Sequence, residues 1–285
     1  MAPHPLDPPA PERRRLTHPL DAGSFEDHLD PHVRFRLLGR LEVVVDGRDV
    51  APTAPRTLQL LALLLLGWRH VVPADAIAQE LWGDRPPRRA RSSVQTHVHQ
   101  LRQCLVRLGL TTDPDRVLVT RAPGYRLEVD PRRTDLHEFV LRRRDGLHAL
   151  DEKRPAEAAR CFREAEALWA GPPLANVARG PVLSGEAVEL LERRRAVRSA
   201  RIDADMMCGR DRDLVGELQS LCLAHPLDEV VHAQLVRVLG RCGRRADAMT
   251  VYRRLRDALD ADLGVSPSAE VEEAYAELIR VRQAG

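Results

Sequence analysis

The apolar residues of this 285-residue chain change their spacing once, at about residue 130. Before that point, stretches in which apolar and polar residues alternate, as in half-buried strands, mix with stretches of helical period. After it, only the helical period occurs. The sequence therefore predicts a mainly α fold with a small β component, divided into a mixed domain (residues 32–130) and an all-α domain (131–285). Residues 1–31 hold repeated prolines and no apolar period, which predicts a disordered leader.

The mixed domain begins with a predicted antiparallel sheet. Val33–Leu37 alternates as a half-buried strand does, and Leu41–Val45 forms a second strand. Asp46-Gly47 is a typical two-residue hairpin turn, so we expect Val50 to open a short return strand.

Three helices and a hairpin follow. The helices are predicted over Arg56–Leu66, Ala74–Trp82 and Ala90–Val106, and the hairpin pairs Val117–Thr120 with Tyr125–Leu127. The third helix carries its apolar residues at intervals of four, three and four, which places them in one buried stripe: Val94, Val98, Leu101 and Leu105.

The opposite face of that third helix has an unusual composition. It holds amide, hydroxyl, imidazole and guanidinium groups and no carboxylate, in Ser92, Thr96, His99 and Gln103 with Gln95, Gln100 and Arg102 beside them. Such a face suits the base edges of the major groove and the nearby phosphates. Residues 32–130 also hold fifteen basic and ten acidic side chains, while 131–285 hold 26 of each. The excess positive charge thus lies in the segment predicted to bind DNA.

Seven helices are predicted in the second domain: Glu138–Leu150, Ala156–Trp169, Gly185–Met207, Leu214–Ala224, Glu229–Cys242, Ala246–Leu259 and Ser268–Arg282. Short turns join most of them into pairs. The second helices of successive pairs share a pattern of small and large residues, in Ala158…Phe162…Ala165, Val215…Gln219…Cys222 and Ala248…Tyr252…Leu255. The last two patterns begin 33 residues apart, which indicates a tetratricopeptide-like array of three pairs and a capping helix.

Several classes of function are disfavoured. Lys153 is the single lysine and the residue directly before it is Glu152, not glycine, so the chain has no Walker-type phosphate loop. No apolar run approaches the length of a membrane span, so no membrane contact is expected. Five scattered cysteines without a C-x-x-C pair indicate a reducing, cytoplasmic compartment.

His97 and His99 point apart on one helix and cannot share a metal. No catalytic constellation is recognisable, so neither an enzyme nor a cofactor is expected, and the acids of Asp203-Ala204-Asp205 are predicted to be surface charge.

The motifs of residues 33–130 resemble the OmpR-type winged-helix domain. They are Val72-Pro73, Glu80-Leu81-Trp82-Gly83, Ser93 to Val98, Leu101-Arg102 and Pro123-Gly124-Tyr125. Residues 135–283 resemble the bacterial transcriptional activation domain, through Leu168 to Leu174, Glu189 to Glu192, His225-Pro226-Leu227, Gly243-Arg244, Ala248 to Leu255 and Leu263 to Ser268. The combination resembles the SARP family of pathway-specific activators of antibiotic biosynthesis in actinomycetes.

This resemblance implies a function. Members of such a family bind direct repeats in promoter DNA, as a head-to-tail homodimer, and recruit RNA polymerase holoenzyme through its sigma factor and alpha subunit. It also implies site residues. Five residues of the third helix are expected to reach bases or phosphates: Ser92, Thr96, His99, Gln100 and Arg102. Arg56 and Arg91 are expected to contact phosphates. Arg121, near the tip of the predicted hairpin, matches the DNA-contacting residue of the family's wing.

Three residues depart from the resemblance: the adjacent His99 and Gln100, and Pro73. Relatives often carry a serine and then an arginine where this chain has His99-Gln100. Glutamine favours adenine where arginine favours guanine, so the target repeat is expected to differ. Pro73 stands where many relatives have a capping Ser or Thr, with little expected consequence. Two alternatives stay open: a tetratricopeptide-like scaffold whose winged helix contacts protein, and a repressor with the same DNA-binding domain.

Overall fold

The computed structural model describes residues 28–67 and 70–280. They form two compact units. The winged-helix unit contains the described residues up to Arg36, together with Leu41–Thr134 and Asn176–Glu186. The helical unit contains Leu37–Arg40, Asp135–Ala175 and the described residues from Ala187 onward.

The winged-helix unit opens with a three-stranded antiparallel sheet of β1 (Arg34–Arg36), β2 (Glu42–Val45) and β3 (Arg48–Asp49). Phe35 on β1 pairs with Val43 on β2, and both side chains are buried. The two-residue turn Asp46-Gly47 has positive φ at both residues, as a type I′ hairpin requires. The return strand was predicted to open at Val50, and this is wrong: the tight turn lets pairing resume at once at Arg48, and β3 ends before Val50.

The helices α1 (Pro55–Leu66), α2 (Ala74–Trp82) and α3 (Ala90–Arg107) confirm the three predicted helices. From Thr57 onward every residue of α1 is buried. The predicted apolar stripe of α3 is buried too, so the opposite face of that helix is free for a ligand. A short helix, α4 (Pro114–Val117), was missed. Asp113 caps it and Pro114 fills its first turn, as is usual at helix starts.

The wing is a second antiparallel sheet. Strand β4 (Val72–Pro73) pairs with β6 (Gly124–Leu127), which pairs with β5 (Leu118–Arg121). The hairpin is confirmed, although its first strand starts one residue later than predicted, because Val117 ends α4.

Gly124 is expected to be indispensable to this sheet. A Cβ atom at residue 124 would lie 1.9 Å from the carbonyl oxygen of Val72. Strand β4 cannot move this oxygen away without losing its pairing with β6. We expect Gly124→Ala to destabilise the unit by about 3 kcal/mol, at the upper end for overpacking. Urea unfolding measures this loss. Gly185→Ala is the control: a Cβ there meets nothing within 4 Å, and alanine should stabilise the helix that contains residue 185, Pro181–Met207. Equal effects of the two variants would contradict the expectation.

Residues 28–31, which precede β1, are ordered against this unit. The sequence predicts a disordered leader up to residue 31, but Leu29 is buried and the amide of Asp30 donates to the carbonyl oxygen of Leu110 at 2.8 Å. Apolar burial and these hydrogen bonds hold residues 28–31 in place. The rest of the predicted leader, residues 1–27, lies outside the described residues.

All seven predicted helices of the second half are confirmed. They are α5 (Asp135–Asp151), α6 (Pro155–Ala167), α7 (Pro181–Met207), α8 (Asp211–Ala224), α9 (Glu229–Arg241), α10 (Arg245–Leu263) and α11 (Ala269–Arg280). The first residues of α7, up to Glu186, belong to the winged-helix unit. The end predicted for the last helix, residues 281 and 282, lies outside the described residues.

The helical unit packs mainly through α5 against α6, and through α9 against α8, α10 and α11. Phe162 of α6 is buried where Gly146 of α5 leaves room for its ring. Tyr252 is buried as predicted, but Gln219 is exposed, and Leu218 takes the corresponding core position one residue earlier. The small-large pattern therefore holds in α6 and α10 and shifts in α8.

The acids predicted to be surface charge in α7 are not on the surface. Asp205 is buried, bonded to Arg201, Arg163 and Arg210. Asp203 accepts a hydrogen bond from Gln234 at 2.8 Å, and its burial raises the pKa of its carboxyl. The sequence alone does not show this, because three of their partners, Arg163, Arg210 and Gln234, come from other helices and a neighbouring turn.

Candidate nucleic-acid interface

The exposed face of α3 is the candidate site. Ser92, Thr96, His99, Gln100 and Gln103 all lie exposed on it, opposite the buried stripe. Helix α3 contains no carboxylate along its whole length. The face therefore offers donors and acceptors without repelling phosphates, which is what a helix needs to enter the major groove.

Hydrogen bonds within α3 orient the polar groups of this face. The Thr96 hydroxyl donates to the carbonyl oxygen of Ser92 at 3.1 Å, which leaves its lone pairs free to accept. Nδ1 of His97 lies 3.1 Å from Oε1 of Gln100, so with Nδ1 protonated the Gln100 amide is turned to present its NH₂ group. His99 and Gln103 lie 3.0 Å apart, Nε2 to Nε2. His97 is half-buried, its ring centroid 5.8 Å from that of Trp82.

Arg102 differs from the other site residues predicted on this helix. Its side chain is only 20% exposed. Its guanidinium donates to the carbonyl oxygen of Leu118 and to the Thr120 hydroxyl, and its Nε lies 3.0 Å from Asp115. Most of its donors therefore hold strand β5 of the wing against α3.

The other predicted arginines lie around α3. Arg121 is exposed at the tip of the wing. Arg91 is exposed in the first turn of α3, with only a loose ion pair, 3.6 Å from Asp75, between two side chains open to solvent. Arg56, in the first turn of α1, donates to Gln59 and to the carbonyl oxygen of Leu81. Arg121 and Arg91 are therefore the freest to meet phosphates.

The start of α3 adds a feature that the site prediction left out. No side chain caps its first backbone N–H groups, and the exposed Arg88 and Arg89 precede them directly. Uncapped N–H groups with the helix dipole attract anions. A signal was available in the sequence, because Arg89 stands where a Ser, Thr, Asp or Asn would be expected to cap the helix.

Glu80 supports the site from within the winged-helix unit and was not predicted. It is 1% exposed, and its carboxylate accepts from the backbone amides of Gly180 at 2.6 Å, Val182 at 2.9 Å and Leu183 at 3.0 Å. The Gln59 amide donates to the same carboxylate and to the Glu80 carbonyl oxygen. Glu80 thus joins α1 and α2 to the start of α7.

Residues 176–186 are in this way part of the winged-helix unit, although the boundary predicted at residue 130 assigns them to the helical domain. Asn176 holds the other end of the segment. Its Oδ1 accepts from the amide of Leu41 at 2.7 Å, and its Nδ2 donates to the carbonyl oxygen of the same residue at 3.1 Å.

Two family models match this chain. Residues 134–279 match the model of the bacterial transcriptional activator domain, and residues 48–127 match that of the C-terminal domain of transcriptional regulatory proteins. The regulatory protein DnrI of Streptomyces peucetius is 35% identical over 251 residues, which are 87% of this chain and 92% of DnrI.

Other relatives are longer. The regulatory protein AfsR of Streptomyces coelicolor is 33% identical over 96% of this chain and 26% of its own length. The transcriptional regulatory protein EmbR of Mycobacterium tuberculosis is 32% identical over 91% of this chain, which spans 65% of EmbR. The solved structure of EmbR in complex with a low-affinity phosphopeptide superposes with a TM-score of 0.81, at 32% identity, over 87% of this chain and 65% of that one. Among the described residues, no helix has the length and apolarity needed to cross a bilayer.

Proposed function

The chain belongs to the SARP family of DNA-binding transcriptional regulators, which are not enzymes, and we propose that it activates an antibiotic biosynthetic gene cluster. It does so by binding direct repeats in promoter DNA and recruiting RNA polymerase. The observation that carries the proposal is the exposed face of α3, which is free of carboxylates. The exposed Arg88 and Arg89 precede this helix in the chain, and the wing that follows it carries the exposed Arg121.

The residues divide into two roles. Thr96, His99 and Gln100 present acceptors and donors to base edges, and Gln100 would favour adenine. Arg121, Arg91 and Arg56, with Ser92 near the start of α3, contact phosphates and fix the register of the protein on the duplex. Arg102 holds the wing against α3 and reaches DNA only with the part of its side chain that remains exposed.

The assembly follows from the direct repeats. Two copies of the chain bind head to tail, with half-sites about one helical turn apart, so that both lie on the same face of the DNA. The sigma factor and alpha subunit of the polymerase are the proposed contacts for activation. The site of action is the nucleoid.

Footprinting on the promoters of biosynthetic genes next to its own gene tests the DNA contact. We expect protected direct repeats whose affinity falls steeply with salt, because each phosphate contact releases counterions. Thr96→Ala should weaken binding roughly tenfold or more, at about 1–3 kcal/mol per base contact, and Arg121→Ala should also reduce the salt slope by about one. Arg256→Gln, an exposed arginine of α10, is the matched control and should change neither.

Each contrary outcome points to a stated alternative. Absence of salt-sensitive protection on any promoter would favour the scaffold function. Protection of repeats combined with lower transcript yield from purified polymerase would make the chain a repressor.

A further inference from the structure

We propose that a pocket in the helical unit, lined by arginines of α7, binds a small amphipathic carboxylic acid. The pocket lies among α7, α8 and α9 and has a volume of about 710 Å³. That volume lies in the range of sites that hold drug-sized ligands. All its lining residues lie between Val188 and Gln234, within the helical unit.

The wall of this pocket is largely apolar. Val188, Leu191 and Val230 line it while 61%, 41% and 40% exposed, and the more buried Ile202 and Leu221 line it too. Clustered apolar side chains open to solvent are costly for a folded protein and mark ligand or partner sites. The wall therefore offers a surface for an apolar ligand body.

Among the described residues, two of the three arginines in the pocket have no acid within hydrogen-bonding distance. Arg198 is paired with Glu166 at 3.0 Å. The nearest carboxylate oxygens to Arg195 belong to Glu192 at 3.8 Å and Asp228 at 3.9 Å, beyond hydrogen-bonding distance. Nε of Arg194 is buried and, within the described part of the chain, has no hydrogen-bond partner.

The charge of Arg194 is stabilised by an aromatic ring and by the charge of Glu166, and not by a hydrogen-bonded acid among the described residues. Its Cζ lies 4.9 Å from the centroid of the Trp169 ring. Burial, followed by the charge of Arg198, lowers the pKa of its guanidinium. An incoming carboxylate would supply the missing anion, and guanidinium groups bind carboxylates through paired, charge-assisted hydrogen bonds.

Gln234 adds an unused acceptor to the wall. The side chain is 1% exposed, and its Nε2 donates to Ser199 and Asp203. Its Oε1 has no donor among the described residues. Buried polar atoms are rarely left unpaired, so this atom points to a ligand hydroxyl or amide near the apolar wall.

Charge and shape together select the class of ligand. The acids that line the pocket are Glu192 and Asp228. Asp228 already caps α9 through the amide of Val231, and Glu192 is exposed. The free groups are therefore cationic, which disfavours an amine ligand. The volume of about 710 Å³ is that of a small-molecule site.

Calorimetry on the full chain without DNA tests this proposal, with dodecanoate below its micellar concentration as the probe. We expect one saturable site per chain and much weaker binding of 1-dodecanol. Arg195→Gln should weaken dodecanoate about tenfold, as loss of a charged hydrogen bond does. Leu191→Asp, a second exposed position, should weaken both probes. Arg193→Gln is the matched control, because Arg193 pairs with Glu189 outside the pocket and the affinity should not change.

Three results would overturn the proposal: no saturable binding, equal affinity for dodecanoate and the alcohol, or equal loss in Arg195→Gln and Arg193→Gln. Binding of an acidic peptide at this site with no binding of dodecanoate would also overturn it. Because DNA is absent from the measurement, the proposed DNA function stands or fails separately.

Discussion

Glu80→Ala is expected to destabilise the winged-helix unit by on the order of 3–5 kcal/mol. The substitution leaves the backbone amides of Gly180, Val182 and Leu183 without their acceptor, and a buried donor that loses its partner costs about 1–3 kcal/mol. The start of α7 also loses the negative charge that complements its dipole. The segment cannot simply close the gap, because Gly180 already lies against the Glu80 backbone.

Hydrogen exchange at these three amides measures the loss of stability at the start of α7. Their protection should fall together with that of α2, and DNA affinity should fall with the folded population. Glu80→Gln keeps one acceptor oxygen and should cost less. Asp84→Asn, an exposed acid just after α2, is the control and should leave exchange unchanged. Unaltered protection in Glu80→Ala would show that the carboxylate does not hold the segment.

The sequence predicts most of the interface because the interface is local. The stripe of Val94, Val98, Leu101 and Leu105 places the polar face of α3 by helical period alone. Each of the seven later helices also carries its own apolar pattern and ends in its own turn. These features depend on residues that lie three or four positions apart in the chain. The sequence pattern alone is therefore enough to predict them.

The side chains that hold these elements together were not predictable in the same way. Glu80 and its amide partners lie about one hundred residues apart, and Arg102 reaches across to a strand 16 residues later. Both look like ordinary polar positions of an amphipathic helix. Only the tertiary fold shows that one carboxylate caps a helix and that one arginine fastens a wing.

The same argument explains why Asp205 was mistaken for surface charge. Its partner Arg201 is 6% exposed and also binds Glu166 of α6 at 2.5 Å and Glu217 of α8. Burial alone would lower the pKa of Arg201, but Glu166, Glu217 and Asp205 raise it overall. One cation therefore joins carboxylates from α6, α7 and α8.

Arg201→Ala is accordingly expected to destabilise the helical unit by about 3–5 kcal/mol, because it leaves the buried Asp205 and the half-buried Glu166 and Glu217 without the cation that joins them. Arg193→Ala, on the same helix, removes only a surface pair with Glu189 and should cost less than about 1 kcal/mol. Unfolding in urea followed by circular dichroism at 222 nm and by tryptophan fluorescence, to which Trp169 of this unit contributes, separates the two.

A second substitution distinguishes charge imbalance from lost packing. Adding Glu217→Gln to Arg201→Ala removes one of the uncompensated carboxylates and should recover part of the stability. Adding Glu189→Gln to Arg193→Ala should recover nothing measurable. If the Glu217 substitution gives no recovery, the buried stem of Arg201, and not its charge, holds α6, α7 and α8 together.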